Sequence, residues 1–360
     1  MRSRIGAALV ATLFWALALV VPAHATFPGA NGKLAYSGGG ISVVNPDGSG
    51  ATQITHNPYR YTSCFDGVCH EIGASDGEPS WSADGRKLAF DREVADPAMQ
   101  HLIRTDIYSV NADGTGLTLL TTDGHSPAWS PDGHEIAFIR GVRAGDLYVM
   151  RADGTQLRPI VAGANTEVEK ADWSPDGGTI AFAIQNPAEG HGREFNIHLV
   201  NPDGTNDRTL LSSQPGLAFE NSAPSWSPDG RRIAFTRRHI PFPCCLEPAD
   251  VWVMNADGSG LQDLTPNTPD SDEVGATWSP DGSKILFNGN RLMNPDGTNQ
   301  TTLPPGALGD SWQPLPGPQR NDYKNAAQFC KAERDFLGDA AFAEKYGGGA
   351  NAYGKCVSAK

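Results

Sequence analysis

Charge is scarce in this 360-residue chain, at 19% Asp, Glu, Lys and Arg. Disorder driven by high charge is thereby excluded. Basic residues are the rarer sign, 28 against 41 acidic, which gives a formal charge of −13. A surface of that sign repels phosphate and disfavours nucleic acid as a partner. Long apolar runs are absent after the first 25 residues, so no later segment reads as a membrane span. The nine histidines are scattered and form no His-Glu-x-x-His pair. His56, His70 and His125 are the histidines that the long-loop end could bring together for a zinc or manganese lyase site. The many Asp-Gly pairs lack the alternating carboxylates and terminal Glu of a calcium loop. Gly73-Ala-Ser-Asp-Gly77 matches the nucleophile-elbow pattern, but Pro79 and a strand follow it where that elbow needs a helix. No catalytic residue, metal ligand or cofactor is therefore assigned.

Turn formers, by contrast, are plentiful. There are 41 Gly and 27 Pro, above their usual shares, which argues for many tight turns and against an all-helical protein. The N-terminus carries Arg2 and Arg4, an apolar stretch from Ile5 to Val21, and Ala23-His24-Ala25. That order reads as a signal peptide over residues 1–25, cleaved after Ala25, and implies a secreted or periplasmic, cell-envelope location. Export makes disulfides possible for the six cysteines. The simplest pairing is local: Cys64 with Cys69, Cys330 with Cys356, and Cys244 beside Cys245. Cross-pairing of Cys244 and Cys245 with Cys64 and Cys69 stays open.

The dominant signal is an internal repeat. Trp81, Trp129, Trp173, Trp226 and Trp278 each start a Trp-Ser-Pro-Asp-Gly motif (Ala replaces Pro after Trp81) followed by an Ile-Ala-Phe-like strand. A second half recurs at 106–114, 146–154, 196–204 and 250–258, shortened at 291–297, with a first copy at 41–48. Each unit reads as four short strands joined by Asp-Gly hairpins, in which Gly takes positive φ and Asp bonds back to the turn. Successive Trp residues lie 48, 44, 53, 52 and 34 positions apart, counting the truncated copy at Trp312. That is the length of a propeller blade. The N-terminal copy lacks a Trp strand, and Trp312 supplies one with nothing after it. Joined, the two fragments complete a blade, so the expected fold is all-β: a six-bladed β-propeller of four-stranded antiparallel blades, with a small helical C-terminal module.

These motifs resemble the TolB-type, WD-repeat-like β-propeller over roughly residues 27–316. The resemblance covers the propeller only: the first blade follows the signal peptide directly, so the additional N-terminal domain of TolB proteins is expected to be missing. The role of TolB proteins in an envelope-spanning complex is not carried over to this chain; the expectation is a monomer whose partner is another envelope or extracellular protein.

Loop lengths are asymmetric. First and third turns of every unit are tight, whereas His56–Ser80, Asp91–Thr105, Gln185–Phe195 and Arg237–Ala249 all fall at the opposite end of the ring. Long loops on a rigid scaffold are where recognition is usually placed. Polar residues precede the Trp strands at that end, and the expected binding face is Asp76, Glu78, His125, Glu169, Asn221, Glu273 and Asp310. An acidic channel mouth would favour a cation or a basic protein segment. The domains are thus 1–25, signal peptide; 26–316, propeller; and 317–360, linker and helical tail stapled by Cys330 and Cys356. The favoured reading is a non-catalytic protein-binding scaffold; the competing class is a carbohydrate-active lyase or hydrolase at the channel mouth.

Overall fold

A computed structural model of the chain describes residues 29–360, apart from 66–67, 97–100, 142–144, 164–166, 186–194, 213–218, 241–246, 267–271, 306–307, 316, 318–323, 347–350 and 359–360. The segment expected to be a signal peptide, Cys244 and Cys245 lie outside the described residues, as do the side chains of Cys64, Cys69 and His70.

The repeat motif closes its own turns. Ser130 Oγ donates to Asp132 Oδ1 at 2.6 Å, Asp132 Oδ1 accepts the His134 N–H, and Ser130 Oγ accepts the Glu135 N–H. Gly133 N–H returns to the Ser130 carbonyl, with Pro131 at the second position that a type I turn favours. The same Ser–Asp bond recurs at Ser82, Ser174, Ser227 and Ser279. In the second tight turn, Thr155 Oγ1 donates to Asp153 Oδ1 and Gly154 N–H to the Arg151 carbonyl.

Between these turns run the strands. The first sheet joins β1 (Ala30–Tyr36), β2 (Ser42–Val44) and β3 (Thr52–Gln53) to the C-terminal β26 (Ser311–Leu315), in the order β26-β1-β2-β3. A two-stranded hairpin follows, β4 (Arg60–Phe65) and β5 (Val68–Gly73), with Cys64 and Cys69 at facing register positions. The next sheet is β6 (Asp76–Trp81), β7 (Lys87–Asp96), β8 (His101–Asn111) and β9 (Thr118–Thr121). Then come β10 (Gly124–Trp129), β11 (Glu135–Arg140), β12 (Asp146–Arg151) and β13 (Arg158–Val161). The stretch expected as a loop at Asp91–Thr105 is mostly strand, because β7 and β8 extend their pairing as far as Asp96 and His101.

The expectation of six separate four-stranded blades is corrected here. Four four-stranded sheets stand alone, not six; the fourth is β22 (Thr277–Trp278), β23 (Ile285–Phe287), β24 (Arg291–Met293) and β25 (Thr301–Thr302). The strands before it form a single eight-stranded sheet: β14 (Val168–Trp173), β15 (Ile180–Gln185), β16 (Phe195–Val200), β17 (Arg208–Leu211), β18 (Phe219–Trp226), β19 (Arg232–His239), β20 (Ala249–Asn255) and β21 (Gln262–Asp263). The reason is local. β18 begins early enough to bridge β16 in parallel at Phe195 and Glu220, and Asn221 Nδ2 donates to the Phe195 carbonyl at 3.0 Å.

The Trp strands contact one another in series, β6 to β10, β14, β18, β22, β26 and back to β6, and so surround an axis. Trp81, Trp129, Trp173, Trp226, Trp278 and Trp312 are all buried, and the core runs across sheet boundaries: Ala89 and Ile107 of one sheet pack with Ile136 and Phe138 of the next and with Trp173 beyond. A sheet with two apolar faces needs neighbours on both, which a radial array supplies.

After the propeller, α1 (Ala326–Lys345) and α2 (Ala352–Ser358) pack around Cys330, Phe342, Ala352 and Cys356. Cys330 and Cys356 are disulfide-bonded across a separation of 26 residues. On the chain-entropy account, closing such a loop contributes about 3 kcal/mol, useful to a module too small for a sufficient core. No helix of the described residues is long and apolar enough to cross a membrane.

Candidate functional site at the channel mouth

The Trp strands share a kink. Pairing shifts register just before Trp81, Trp129, Trp173 and Trp226. Three residues ahead of the Trp, the backbone turns left-handed at Glu78 (φ 47°), Ser126 (φ 53°) and Ala223 (φ 50°). Such bulges re-aim side chains, and non-glycine residues there cost strain that is typical of functional positions.

The bulge sorts the expected face into two groups. Residues five places before the Trp turn into the structure. Asp76 is 0% exposed and accepts Arg92 Nε and Nη2, both at 2.7 Å, and Thr55 Oγ1. Glu273, also 0% exposed, is paired with Arg291 and accepts Asn288 Nδ2. Asn221 is fully buried against Phe195. These three are engaged in structural contacts and present little to a ligand. Asp310 lies between the groups: its Oδ2 accepts the N–H and Oγ of Ser37, and burial raises its pKa.

Residues three and four places before the Trp turn to the axis. Lys170 Nζ lies 3.1 Å from Glu78 Oε2. β6 and β14 are separated by β10 in the ring, so this ion pair forms across the channel. His125 lies beside it, its Nδ1 bonded to Ser126 Oγ at 2.9 Å and its Nε2 buried without a partner. Burial alone would raise the Glu78 pKa, but the Lys170 and His125 charges hold it down to about 2. The reverse holds at Glu169, where burial and the nearby Glu220 carboxylate push the pKa up to about 7. Its Oε2 is also buried and unpartnered. Asp91, beneath Glu78, is raised well above the ordinary carboxylate range by burial and by Glu78 itself. Burial lowers the His125 pKa against the pull of Glu78.

The mouth is therefore a mixed-charge cluster in which some polar atoms are bonded and others wait for water or a ligand. Lys170, Asp91 and Arg237 escaped the sequence reading. The signal was available for two of them. Lys170 shares the offset of Glu78 from its Trp, and Arg237 shares the offset of Arg92 from its Phe.

Other candidates separate. Ser75 of the elbow-like motif lies between β5 and β6, both strands, and its N–H donates to Glu93 Oε2. His56 is exposed, and no group of three His, Cys, Asp or Glu residues could hold a metal among the described residues.

Comparison with known proteins is consistent with this architecture. The TolB beta propeller domain family matches residues 62–240. The Tol-Pal system protein TolB of Alcanivorax borkumensis is 38% identical over 85 residues, 24% of this chain and 18% of that protein. An uncharacterized Agrobacterium fabrum protein is 32% identical over 173 residues, 44% of this chain and 53% of that protein. The chain thus spans about half or less of the curated relatives it matches. Among solved structures, TolB from Acinetobacter baumannii superposes with a TM-score of 0.55 at 20% identity, covering 79% of this chain and 67% of that one.

Proposed function

We propose that this chain, a TolB-type β-propeller protein, is an exported, non-catalytic scaffold that recognises another envelope or extracellular protein through the channel mouth and the long-loop end. The observation that carries the reading is the axial cluster, where Glu78 and Lys170 pair across the channel and His125 Nε2 and Glu169 Oε2 stay unpartnered. Buried polar atoms are normally satisfied, so atoms left without a partner in this cluster are places for a partner's groups. Relatives named for the Tol-Pal system support an envelope setting, reached through the signal peptide at residues 1–25. Within this reading, residues 26–316 form the recognition module and 317–360 a stapled appendage.

The test is capture from the host's envelope fraction by the exported chain, run beside a version with the 60–73 hairpin and the 240–248 segment shortened. Thermal melts establish that both fold. Loss of a specific protein on shortening supports the scaffold; identical capture by both chains overturns the long-loop assignment.

A further inference from the structure

One slot of the repeat, an Arg two residues after the strand's Phe, recurs with different residues opposite it: Gly124 faces Arg140 of β11. In β7, Arg92 sits two residues after Phe90 and opposite Asp76 of β6, and the two form a bidentate buried ion pair. In β19, Arg237 sits two residues after Phe235 and opposite Asn221 of β18. The carboxylate is gone, and Asn221 has turned its Nδ2 to Phe195. Arg237 is 8% exposed and Asn221 is 0% exposed, yet Arg237 Nε and Asn221 Oδ1 are both buried without a partner. Opposite on β20 stands Asp250, which accepts Thr265 Oγ1; burial alone lowers the Arg237 pKa, with no carboxylate of the described residues acting on it. The guanidinium lies 3.8 Å from the Phe219 ring centroid and 5.1 Å from that of Trp252. A buried cation without a counter-ion is costly unless something supplies one.

We propose that Arg237, framed by Phe219, Trp252 and Asn221 at the long-loop end, is the docking point for a carboxylate of the protein partner, which supplies to Arg237 the charge that Asp76 supplies to Arg92. Arginine beside aromatic rings is the composition that dominates protein–protein binding energy, and the planar fork suits a carboxylate. The inference rests on the scaffold reading and names the chemistry of the group recognised.

The test follows the Arg237 Nε–H resonance in the full chain labelled with nitrogen-15 arginine. Three pentapeptides are titrated: one with a central Glu and both ends blocked, one of glycine with a free C-terminal carboxylate, and one blocked and neutral. A saturable shift with a carboxylate peptide and none with the neutral one is expected, and the two acidic peptides distinguish side-chain from terminal recognition. Asn221→Asp supplies the missing acid internally; it should raise the melting temperature and weaken peptide binding at least tenfold. Arg237→Gln should abolish binding, and Asn221→Asp keeps the test decisive should Arg237→Gln fold poorly. Equal response to the neutral peptide, or undiminished binding by Asn221→Asp, overturns the proposal. If loop shortening abolishes partner capture while Arg237 ignores every carboxylate, this inference falls and the scaffold stands. A carboxylate response with capture unchanged by shortening leaves the site and removes the long-loop assignment.

Discussion

The two ends of the ring solve the same problem in opposite ways. At the tight-turn end, each repeat satisfies its polar groups within a few residues: Ser to Asp, Asp to the following N–H, Gly back to the first carbonyl. The carboxylates at Asp113, Asp153, Asp203, Asp257 and Asp296 all have lowered pKa values, with the adjacent Ser or Thr hydroxyl as the largest cause. The clefts on that end, about 560 and 390 Å³, are lined by Asp132, Asp153 and Asp176, whose oxygens already accept turn hydrogen bonds. At the long-loop end no two repeats are alike, charges meet from different sheets, and several atoms are left open. Identical turns fix geometry; divergent mouths hold the chemistry that geometry presents.

The largest expected effect breaks that division from the long-loop side. Asp76 belongs to the structural group there, so Asp76→Ala leaves Arg92 buried and uncompensated. The expected cost is about 3–5 kcal/mol in urea unfolding. Removing both partners, as Asp76→Ala with Arg92→Met, should cost clearly less, because no unpaired charge is stranded. Equal losses for the single and double variants would show that the stranded charge is not what makes the single variant costly.

Next in size are two glutamates of the mouth whose pH effects have opposite signs. Glu78 falls from 4.5 to about 2, so its stabilisation is present above pH 4.5 and lost as pH falls through 2. Glu78→Gln should therefore cost about 3 kcal/mol at neutral pH and little at pH 2. Glu169 rises from 4.5 to about 7, so its protonated form is favoured on folding, and that contribution is complete below pH 4.5 and lost as pH rises through 7. Glu169→Gln should be neutral near pH 4 and stabilising at pH 8, by at most about 3 kcal/mol. Denaturation midpoints across pH 2–8 measure both, and parallel curves for the two variants contradict the charge arrangement drawn for the mouth.

Much of this end was hidden from the sequence for a physical reason. The repeat announced strands, turns and the meeting of the N-terminal copy with Trp312, because those follow from short-range patterns: Gly at positive φ, Pro in the turn, alternation of buried residues. Which polar residue faces the axis depends on a bulge, and a one-residue shift flips every side chain to the other face. Asp76 and Glu78 looked equivalent in the chain, yet one is locked to Arg92 and the other pairs with Lys170 across the channel. The parallel bridge from Phe195 to Glu220 merged what the spacing read as separate blades, and no local pattern encodes such a contact.

The smallest effect sharpens the tight-turn side. Gly133 and Gly154 both have positive φ, at 73° and 82°. A Cβ on Gly133 would meet nothing within 4 Å, whereas one on Gly154 would lie 2.6 Å from the Leu120 carbonyl oxygen of the neighbouring sheet. Gly133→Ala should therefore cost only the left-handed backbone penalty, about 1 kcal/mol. Gly154→Ala adds the forced separation of two sheets and should cost about 2 kcal/mol or more. The difference between the two isolates how tightly adjacent sheets abut at their turns. Equal losses in urea unfolding would mean that the sheets part freely at this end, and that its regularity comes from the turns alone.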